Sequence, residues 1–331
     1  MGESILHVEN VSKVFQLKTG PFKQKRELQA VKDVSLTIKR GETYSLVGES
    51  GCGKSTTGRL LSRLLKPESG SIWFDGEDLS TKTKREMKPY YRRIQMVFQD
   101  PYASLNPRMK VIDLISEPLL IHMNLSKKER EKKVLEMLEI VGLNQKSAYK
   151  YAHEFSGGQR QRIGIARALM VRPDLIIADE PVSALDVSIQ SQILNLFKDL
   201  QKEFNLAYLF ISHDLSVVEH ISDKVGVMYL GSLVESGNKR DLFAHPQHPY
   251  TKALLSAVPV INPRVKRERI LLKGGLPSPV DPPTGCRFHT RCPVAMKRCS
   301  TDVPALVHRE GMEQLVSCHL YDEIKPKKEK V

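Results

Sequence analysis

Apolar and polar positions change their spacing several times along the 331 residues of the chain. Residues 5–40 hold short apolar segments that alternate with polar positions, which is typical of antiparallel strands. Residues 102–155 repeat apolar side chains at helical spacing, and Ser126 with Glu129 forms a capping box. Short continuous apolar runs, such as 175–178, then predict buried strands of a parallel sheet. The pattern predicts an α/β protein with a mixed sheet core, an antiparallel β subdomain and an α-helical insertion over about 102–160.

The composition changes at about residue 246. Prolines are dense from Pro246 to Pro304, and four of the five cysteines fall in the last fifth of the chain. A hairpin over 225–237 is expected to close the sheet just before this change. We therefore expect one domain over 1–245 and a small Cys/Pro-rich C-terminal appendage over 246–331.

Hydrophobic residues make up 40% of the chain and charged residues 27%, as in ordinary globular proteins. No apolar run approaches the roughly 20 residues that span a bilayer, and the N-terminal residues lack the features of a signal peptide. A cytosolic chain is therefore expected. The net charge of +13 favours proximity to an acidic surface without choosing between nucleic acid and an anionic membrane.

Residues 46–56 carry the pattern Gly-x4-Gly-Lys-Ser of a P-loop between a short apolar strand and a helical pattern. Free backbone N–H groups and the helix dipole meet in such a loop and form an anion site. Lys54 is expected to reach the β- and γ-phosphates of a nucleotide, and the Ser55 hydroxyl to ligate Mg²⁺. Cys52 is interpreted as a free position of the loop. The predicted nucleotide-binding residues of the loop are Gly48, Glu49, Ser50, Gly51, Cys52, Gly53, Lys54, Ser55 and Thr56.

Three later apolar runs end in polar residues with possible roles in catalysis: Gln99, the pair Asp179 and Glu180, and His213. The carboxyl ends of parallel strands meet at one edge of a sheet, where ligands bind. Asp179 is predicted to hold Mg²⁺ through water, and Glu180 to polarise the attacking water. His213 is expected to contact the γ-phosphate.

Ser156, Gly157, Gly158 and Gln159 begin a further helical pattern. Ser156 is predicted to cap the helix, and the two glycines leave its N-terminal amides open for a second anion. Phe15 is the aromatic residue best placed to stack on a base, although a core phenylalanine explains it equally well.

The order of these motifs resembles the nucleotide-binding subunit of ABC transporters over about residues 5–245. The matching motifs are Walker A, Q-loop, signature, Walker B, D-loop and H-loop, which fall at Gly48–Ser55, Gln99, Ser156–Gln159, Asp179–Glu180, Ser183–Asp186 and His213. Finer features resemble the oligopeptide/dipeptide importer ATPases, most of all the second of their two ATPase subunits. These features are Phe98–Pro107, His248–Leu254 and residues 282–288, and nickel importers are close relatives.

The resemblance implies a Mg²⁺-dependent ATPase that energises peptide import. Each ATP is expected to lie between the P-loop of one subunit and the Ser156–Gln159 motif of a second, homologous ATPase subunit, in a heterodimer. The implied catalytic residues are Lys54, Gln99, Glu180 and His213, and the implied Mg²⁺ ligands are Ser55, Gln99 and Asp179. The other implied partners are two transmembrane permease subunits and, through the complex, an extracytoplasmic substrate-binding protein. The implied location is the cytoplasmic face of the cell membrane.

Three other functions compete with this interpretation. A nickel importer shares most of the features. A soluble ABC ATPase that acts on nucleic acid suits the +13 charge, but the single cassette and the lack of long coiled-coil heptads count against it, so no nucleic acid partner is expected. A regulatory subunit that binds ATP without hydrolysis is opposed by the presence of Glu180.

Cys286, Cys292, Cys299 and Cys318 are separated by five, six and eighteen residues. This spacing lacks both the close knuckles of zinc modules and simple ferredoxin runs. Four thiols in a proline-rich segment of a cytosolic protein still favour a metal over disulfides. The resemblance to peptide-importer ATPases implies a [4Fe–4S] cluster, with Zn²⁺ as the alternative and four reduced structural cysteines as the third interpretation.

Overall fold

The computed structural model describes residues 4–17, 26–100, 104–258, 269–308, 311 and 313–322. Residues 101–103, which belong to the Phe98–Pro107 segment, lie outside this part of the chain. The strands are β1 (Ser4–Leu17), β2 (Arg26–Lys39), β3 (Thr43–Val47), β4 (Ser69–Phe74), β5 (Glu77–Asp78), β6 (Ile94–Val97), β7 (Leu175–Asp179), β8 (Ala207–Ser212), β9 (Lys224–Tyr229), β10 (Ser232–Asn238), β11 (Val307–His308) and β12 (Leu315–Val316).

The α-helices are α1 (Lys54–Leu61), α2 (Lys88–Arg93), α3 (Val111–His122), α4 (Lys127–Ile140), α5 (Gly157–Leu169), α6 (Val187–Phe204), α7 (Leu215–Ile221), α8 (Lys239–Ala244) and α9 (Pro249–Ser256). Short 3₁₀ helices lie at Gln145–Tyr149, Ala152–Glu154, Lys297–Ser300 and His319–Tyr321. Among the described residues, no helix is both long and apolar enough to cross a membrane.

An eight-stranded mixed sheet forms the centre of the fold, in the order β11-β12-β10-β9-β3-β8-β7-β6. The five strands from β9 to β6 are parallel to one another. Because side chains alternate along a strand, β7 divides its apolar run between two cores. Leu175 and Ile177 pack on one side, whereas Ile176 and Ala178 pack on the other. The predicted mixed α/β core is confirmed.

The four-stranded antiparallel sheet β2-β1-β4-β5 shares a core with α1 and one face of the central sheet. This is the predicted antiparallel β subdomain. It is also tied to the central sheet by charge, because Arg93 donates to both Asp75 and Asp174 at 2.5 Å. Arg40 bonds the same two carboxylates, so two arginines and two aspartates form one closed network.

Helices α3, α4 and α5 pack over the opposite face of the central sheet, around Leu114, Leu138 and Ile163. The capping box at the start of α4 is confirmed, since Ser126 Oγ accepts from Glu129 N and Glu129 Oε2 accepts from Ser126 N at 2.7 Å. The helical insertion therefore consists of amphipathic helices, as the spacing of its apolar residues predicted.

The C-terminal residues add two strands, β11 and β12, to the central sheet. The expectation that the hairpin β9-β10 closes the sheet is wrong, because β12 pairs with the outer edge of β10 and β11 pairs with β12. Strand β10 has free backbone donors and acceptors at that edge, and β12 satisfies some of them. Phe288 is fully buried beside Tyr229 and Tyr250, with ring centroids 5.2 and 5.4 Å away.

Candidate functional site

The loop between β3 and α1 is packed so tightly at Gly48 and Gly53 that no other residue fits at these two positions. All of β3 is buried, which anchors the start of the loop. Gly48 has φ +154°, and a Cβ there would lie 2.2 Å from the Met228 carbonyl oxygen. Gly53 has φ +104°, and a Cβ there would lie 2.3 Å from the Ala30 carbonyl oxygen. Only glycine tolerates both the positive φ and the close approach.

A cavity of ≈ 550 Å³ opens in front of this loop. Its volume falls in the range of small-molecule and cofactor sites, about 300–1,000 Å³. Ten of the predicted site residues line it: Phe15, Ser50, Gly51, Gly53, Lys54, Ser55, Thr56, Gln99, Glu180 and His213. They arrive from the carboxyl ends of the parallel strands β3, β6, β7 and β8, together with the antiparallel strand β1. The strand order thus gathers residues that are far apart in the sequence.

Lys54 begins α1 and folds back over the loop. Its side chain is buried, and Nζ donates to the carbonyl oxygens of Gly48 at 2.8 Å and Glu49 at 3.0 Å. These bonds hold the ammonium group at the end of the cavity that the P-loop forms. A cation at the N-terminus of a helix adds to the positive potential of the loop amides, which suits a polyphosphate.

Glu180 is the centre of a hydrogen-bond network on the opposite wall. Its Oε2 accepts from Gln99 Nε2 at 2.9 Å and lies 3.1 Å from His213 Nδ1. The Glu180 backbone has φ +47°, which is unusual for a residue with a side chain, and its N–H donates to the Ile211 carbonyl at 2.9 Å. The surrounding strands stabilise this strained conformation, which aims the carboxylate at the cavity.

Ser55 and Asp179 form a second pair beside Glu180. The Ser55 hydroxyl donates to Asp179 Oδ1 at 2.7 Å. Burial raises the pKa of Asp179 and the Glu180 charge raises it further, whereas the Ser55 hydrogen bond lowers it. Hydroxyl and carboxylate oxygens are the donor set that Mg²⁺ prefers, so these two residues fit the predicted ion. Gln99, the third predicted ligand, donates its side-chain amide to Glu180.

The motif predicts that the loop residues Glu49 and Cys52 bind the nucleotide, but both side chains make other contacts. Glu49 pairs with Arg291 of the C-terminal region, at 2.9 and 3.1 Å. Cys52, interpreted as a free position of the motif, has a side chain that is 1% exposed and packs beneath the loop. Burial raises the pKa of its thiol, and Lys54 opposes that shift.

Phe15 is half-buried and lines the cavity, with Lys13 Nζ 5.6 Å from the centre of its ring. A phenylalanine confined to the core would not border the site. Its position favours the stacking interpretation over the core interpretation. Sequence reasoning missed the wall next to it, which consists of Leu28, Gln29, Ala30, Leu230, Gly231 and Pro279. These residues carry no motif, and only the packing of β2 against the turn between β9 and β10, where Lys32 N donates to the Gly231 carbonyl at 2.7 Å, and against the C-terminal region brings them together.

The second predicted anion site, Ser156–Gln159, stands apart from the residues that line the cavity. Ser156 caps α5, since Gln159 N donates to Ser156 Oγ at 3.4 Å and Ser156 N donates to Gln159 Oε1 at 3.1 Å. A Cβ on Gly158 would lie 2.4 Å from Ile189 Cγ2, so α6 packs directly on this helix start. The motif is well formed, but within one chain it does not complete the P-loop site.

The four C-terminal cysteines are free, and the side chains of Cys299 and Cys318 are buried. Burial, followed by the charges of the other three thiols, raises the pKa of Cys318 to about 11. The four thiols therefore lie within electrostatic range of one another. However, the described residues hold no group of three or more His, Cys, Asp or Glu side chains arranged to bind a metal ion. The geometry does not supply the ready-made cluster site that the sequence resemblance implied.

Comparison with known proteins decides the family. Residues 31–183 match the ABC transporter family, and residues 234–299 match the C-terminal region of oligopeptide/dipeptide transporters. The oligopeptide transport ATP-binding protein AppF of Bacillus subtilis is 56% identical, over 96% of this chain and 98% of its own length. The chain belongs to the oligopeptide/dipeptide ABC transporter ATP-binding proteins. The dipeptide transport ATP-binding protein DppF of Escherichia coli is 51% identical, over 97% of this chain and 96% of its own.

Solved structures of ABC ATPases share the fold. The cbiO1 protein of Clostridium perfringens, part of the transporter complex cbiONQ, has a TM-score of 0.64 and 31% identity, and the match covers 73% of this chain and 92% of that one. The ATP-binding cassette MJ0796, in a dimeric post-hydrolysis state bound to ADP and Pi, has a TM-score of 0.63 and 30% identity, over 71% of this chain and 99% of that one. As a member of the ABC ATPases, this chain is an ATP-hydrolysing enzyme. The names of AppF and DppF give peptides, and not nickel or nucleic acid, so these two relatives do not support the alternative functions.

Proposed function

We propose that this chain hydrolyses ATP to drive the import of oligopeptides or dipeptides through an ABC membrane transporter. The observation that carries the proposal is the convergence of Gln99 and His213 on one oxygen of Glu180, in the cavity in front of the P-loop. Peptide is the transported class in the names of the relatives AppF and DppF.

The roles of the residues follow from their positions. Lys54 and the open amides of the P-loop bind and orient the phosphates, and Phe15 stacks on the base. Ser55 and Asp179 hold Mg²⁺, which when bound neutralises charge on the β- and γ-phosphates. Glu180 accepts the proton of the attacking water, while Gln99 and His213 keep its carboxylate in place.

Replacement of the catalytic carboxylate tests the proposal. In Glu180→Gln, ATP binding is expected to persist while phosphate release falls by about 10²–10⁴-fold, the usual contribution of a general base. Glu219→Gln is the matched control, since Glu219 is an exposed glutamate on α7, away from the cavity. Undiminished hydrolysis in Glu180→Gln would refute the role of Glu180, and absence of ATP hydrolysis in the unaltered chain would refute the function.

We further propose that the chain works in a head-to-tail pair with a second, homologous ATPase subunit. Support comes from the separation of Ser156–Gln159 from the cavity that Lys54 and Glu180 line, since a helix start prepared for an anion then needs a nucleotide from another subunit. MJ0796 is dimeric. The Glu180→Gln variant with ATP and Mg²⁺ should form dimers measurable by light scattering, and further replacement of Ser156 by Arg should abolish them. A homologous partner should be preferred if the pair is a heterodimer.

A groove beside the site suits a membrane subunit. This cavity of ≈ 300 Å³ has a mostly apolar lining, and Leu64, Phe98 and Ile121 on its rim are 55%, 41% and 57% exposed. We propose that it accepts an apolar helix of one of two transmembrane permease subunits, which would hold the chain at the cytoplasmic face of the membrane. An extracytoplasmic substrate-binding protein would join only through that complex. Ile121→Glu should lose permease in a detergent pull-down yet retain ATP hydrolysis, with Leu271→Glu as an exposed apolar control.

A metal in the C-terminal region is a separate proposal. Four free cysteines within electrostatic range support a [4Fe–4S] cluster, or Zn²⁺ as the alternative, although the described thiols are not arranged as ligands. Anaerobically purified protein with absorption near 400 nm, iron and sulfide would support the cluster. Zinc without colour would support the alternative. Absence of both iron and zinc would indicate four reduced cysteines.

We also propose domain boundaries at 1–245 and 246–331, with the helical insertion at about 102–160. Limited proteolysis should cut first near residue 246 or at the ends of the insertion. Cuts elsewhere, within the central strands, would contradict this division.

A further inference from the structure

Two arginines of the C-terminal region reach the nucleotide site from outside. Arg287 directly follows Cys286, and Arg291 directly precedes Cys292. Arg291 Nη1 donates to both carboxylate oxygens of the P-loop residue Glu49, at 2.9 and 3.1 Å. Arg287 bonds the carbonyl of Leu230 and the side chain of Gln29. Leu230 and Gln29 are both in the wall of the nucleotide cavity.

Burial of Arg291 makes its ion pair with Glu49 costly to break. The Arg291 side chain is 9% exposed, and among the described residues its Nε is buried without a hydrogen-bond partner. Burial alone would lower the pKa of Arg291, but the bonds and charges of Glu49 and Tyr229 raise it above its ordinary value. A buried guanidinium that loses its carboxylate is left as an uncompensated charge, which is strongly unfavourable. The ion pair therefore holds the loop and the C-terminal segment together.

Because Glu49 also binds Lys54, the ion pair restrains the position of this lysine as well. The backbone N–H of Glu49 donates to the hydroxyl of Tyr250 at 3.0 Å, and its carbonyl oxygen accepts from Lys54 Nζ at 3.0 Å. Tyr250 and Arg291 both belong to the C-terminal region, and both pack against Tyr229. The residue that orients the Lys54 ammonium is thus fixed by two groups from beyond residue 245. No P-loop motif contains that information.

We propose that the segment Cys286–Cys292 is a positioning element of the nucleotide site, in which Arg291 sets the P-loop through Glu49 and Arg287 sets the cavity wall through Leu230 and Gln29. This inference rests on the proposed ATPase function and adds a part of the chain that the motifs do not include. Loss of the ion pair removes one of the two restraints on Glu49 and so loosens one of the two carbonyl groups that hold Lys54. Nucleotide affinity should fall while the hydrolytic groups Glu180 and His213 stay in place.

The test compares Arg291→Gln, Glu49→Gln and the double variant in the full-length chain. Binding of a fluorescent ATP analogue should weaken about five- to tenfold in each single variant, the range of a modest coupling between two sites. The KM for ATP should rise by the same factor, with kcat changed less than about twofold, because uniform binding is lost rather than transition-state stabilisation. Hydrogen exchange of the backbone amides of residues 49–53 should become faster.

Three further variants separate positioning from general damage. The double variant should bind no more weakly than either single one, since both remove the same contact. Arg291→Lys should recover part of the affinity, because a single ammonium can still reach both oxygens of Glu49. Arg298→Gln is the matched control: Arg298 also forms an ion pair within the C-terminal region, with Asp322 at 3.0 Å, but away from the cavity. It should bind ATP as the unaltered chain does.

Wild-type affinity and exchange in both Arg291→Gln and Glu49→Gln would overturn the inference while leaving the ATPase function intact. Additive losses in the double variant would overturn it as well, because Arg291 would then act by another route. Should Arg291→Gln fail to fold, Glu49→Gln breaks the same ion pair from the half-exposed loop side and carries the same expectation. Failure of the unaltered chain to bind ATP would remove both the function and the inference.

Discussion

The side-chain amide of Gln99 donates to Oε2 of Glu180 at 2.9 Å, although the two residues lie 81 positions apart in the sequence. Each follows the carboxyl end of its strand, β6 and β7, which are neighbours in the sheet. Phe98, the residue before Gln99, borders the groove proposed for the permease. One hydrogen bond therefore links the Glu180 carboxylate to the residue next to the groove where a membrane subunit is proposed to bind.

Gln99→Ala should lower kcat by about tenfold with little change in ATP affinity. The substitution removes a donor that fixes the Glu180 carboxylate, and one hydrogen bond to a charged group contributes about 1.5–3 kcal/mol. Steady-state phosphate release at saturating ATP measures the effect. Gln95→Ala, on the strand β6 that precedes Gln99, is the control, since Gln95 bonds the Tyr91 carbonyl instead of Glu180. A drop of equal size in the control would attribute the loss to the strand and not to the hydrogen bond.

Ser55→Ala should raise the Mg²⁺ concentration needed for half-maximal hydrolysis by at least about tenfold, as is typical when a metal site loses a contributing group. The hydroxyl 2.7 Å from Asp179 Oδ1 is the group lost. Titration of Mg²⁺ at fixed ATP measures the shift, and high Mg²⁺ should restore activity. Ser62→Ala, at the end of the same helix, should behave as the unaltered chain. An unchanged Mg²⁺ requirement in Ser55→Ala would exclude this residue as a ligand.

Gly53→Ala should destabilise the nucleotide-free protein by about 1–3 kcal/mol more than Gly51→Ala, as measured by thermal unfolding. Both residues have positive φ, of +104° and +79°, so both substitutions incur the backbone penalty. Only at Gly53 would the added Cβ collide with a backbone atom, the Ala30 carbonyl oxygen, at 2.3 Å; nothing lies within 4 Å of the Cβ at Gly51. Equal losses of stability would show that the loop can move away from Ala30.

Acidification should destabilise the C-terminal region through His248. Burial lowers the pKa of His248 to about 3, and the nearby Lys252 contributes. Because the folded pKa lies below the unfolded value of about 6.5, the stability that the neutral ring contributes is present above pH 6.5 and is lost as the pH falls towards 3. Between pH 7 and pH 5 the loss from this residue alone should be about 2 kcal/mol.

His248→Asn isolates this contribution, because asparagine can still accept a hydrogen bond at the start of α9 but does not titrate. The loss of unfolding free energy between pH 7 and pH 5 should be about 2 kcal/mol smaller in the variant than in the unaltered chain. Glu235 accepts from the backbone N–H of His248 and has a pKa raised by burial, so its shift acts in the opposite direction in both proteins and cancels in the comparison. Identical pH dependence in the two proteins would exclude His248 as the source.

Local sequence determines much of this protein, for a simple physical reason. The spacing of apolar residues decides which face of each element avoids water, and the glycines and Lys54 of the P-loop fulfil conformational and charge requirements within a few residues. The polar ends of the buried runs, at Gln99, Glu180 and His213, likewise predicted a shared edge because parallel strands all present their carboxyl ends there.

Only the tertiary structure determined which residues from distant parts of the sequence are in contact. Strand order brings Gln99 and His213 to the same oxygen, β12 covers the edge of the hairpin that was expected to close the sheet, and the side chain of Cys52 is buried beneath the P-loop. Arg291 meets Glu49 across 242 positions. Such contacts leave no periodic trace, because they depend on how whole elements pack and not on the conformation of any one of them. The sequence therefore revealed the parts of the nucleotide site, and the packing showed that the C-terminal region also contributes to it.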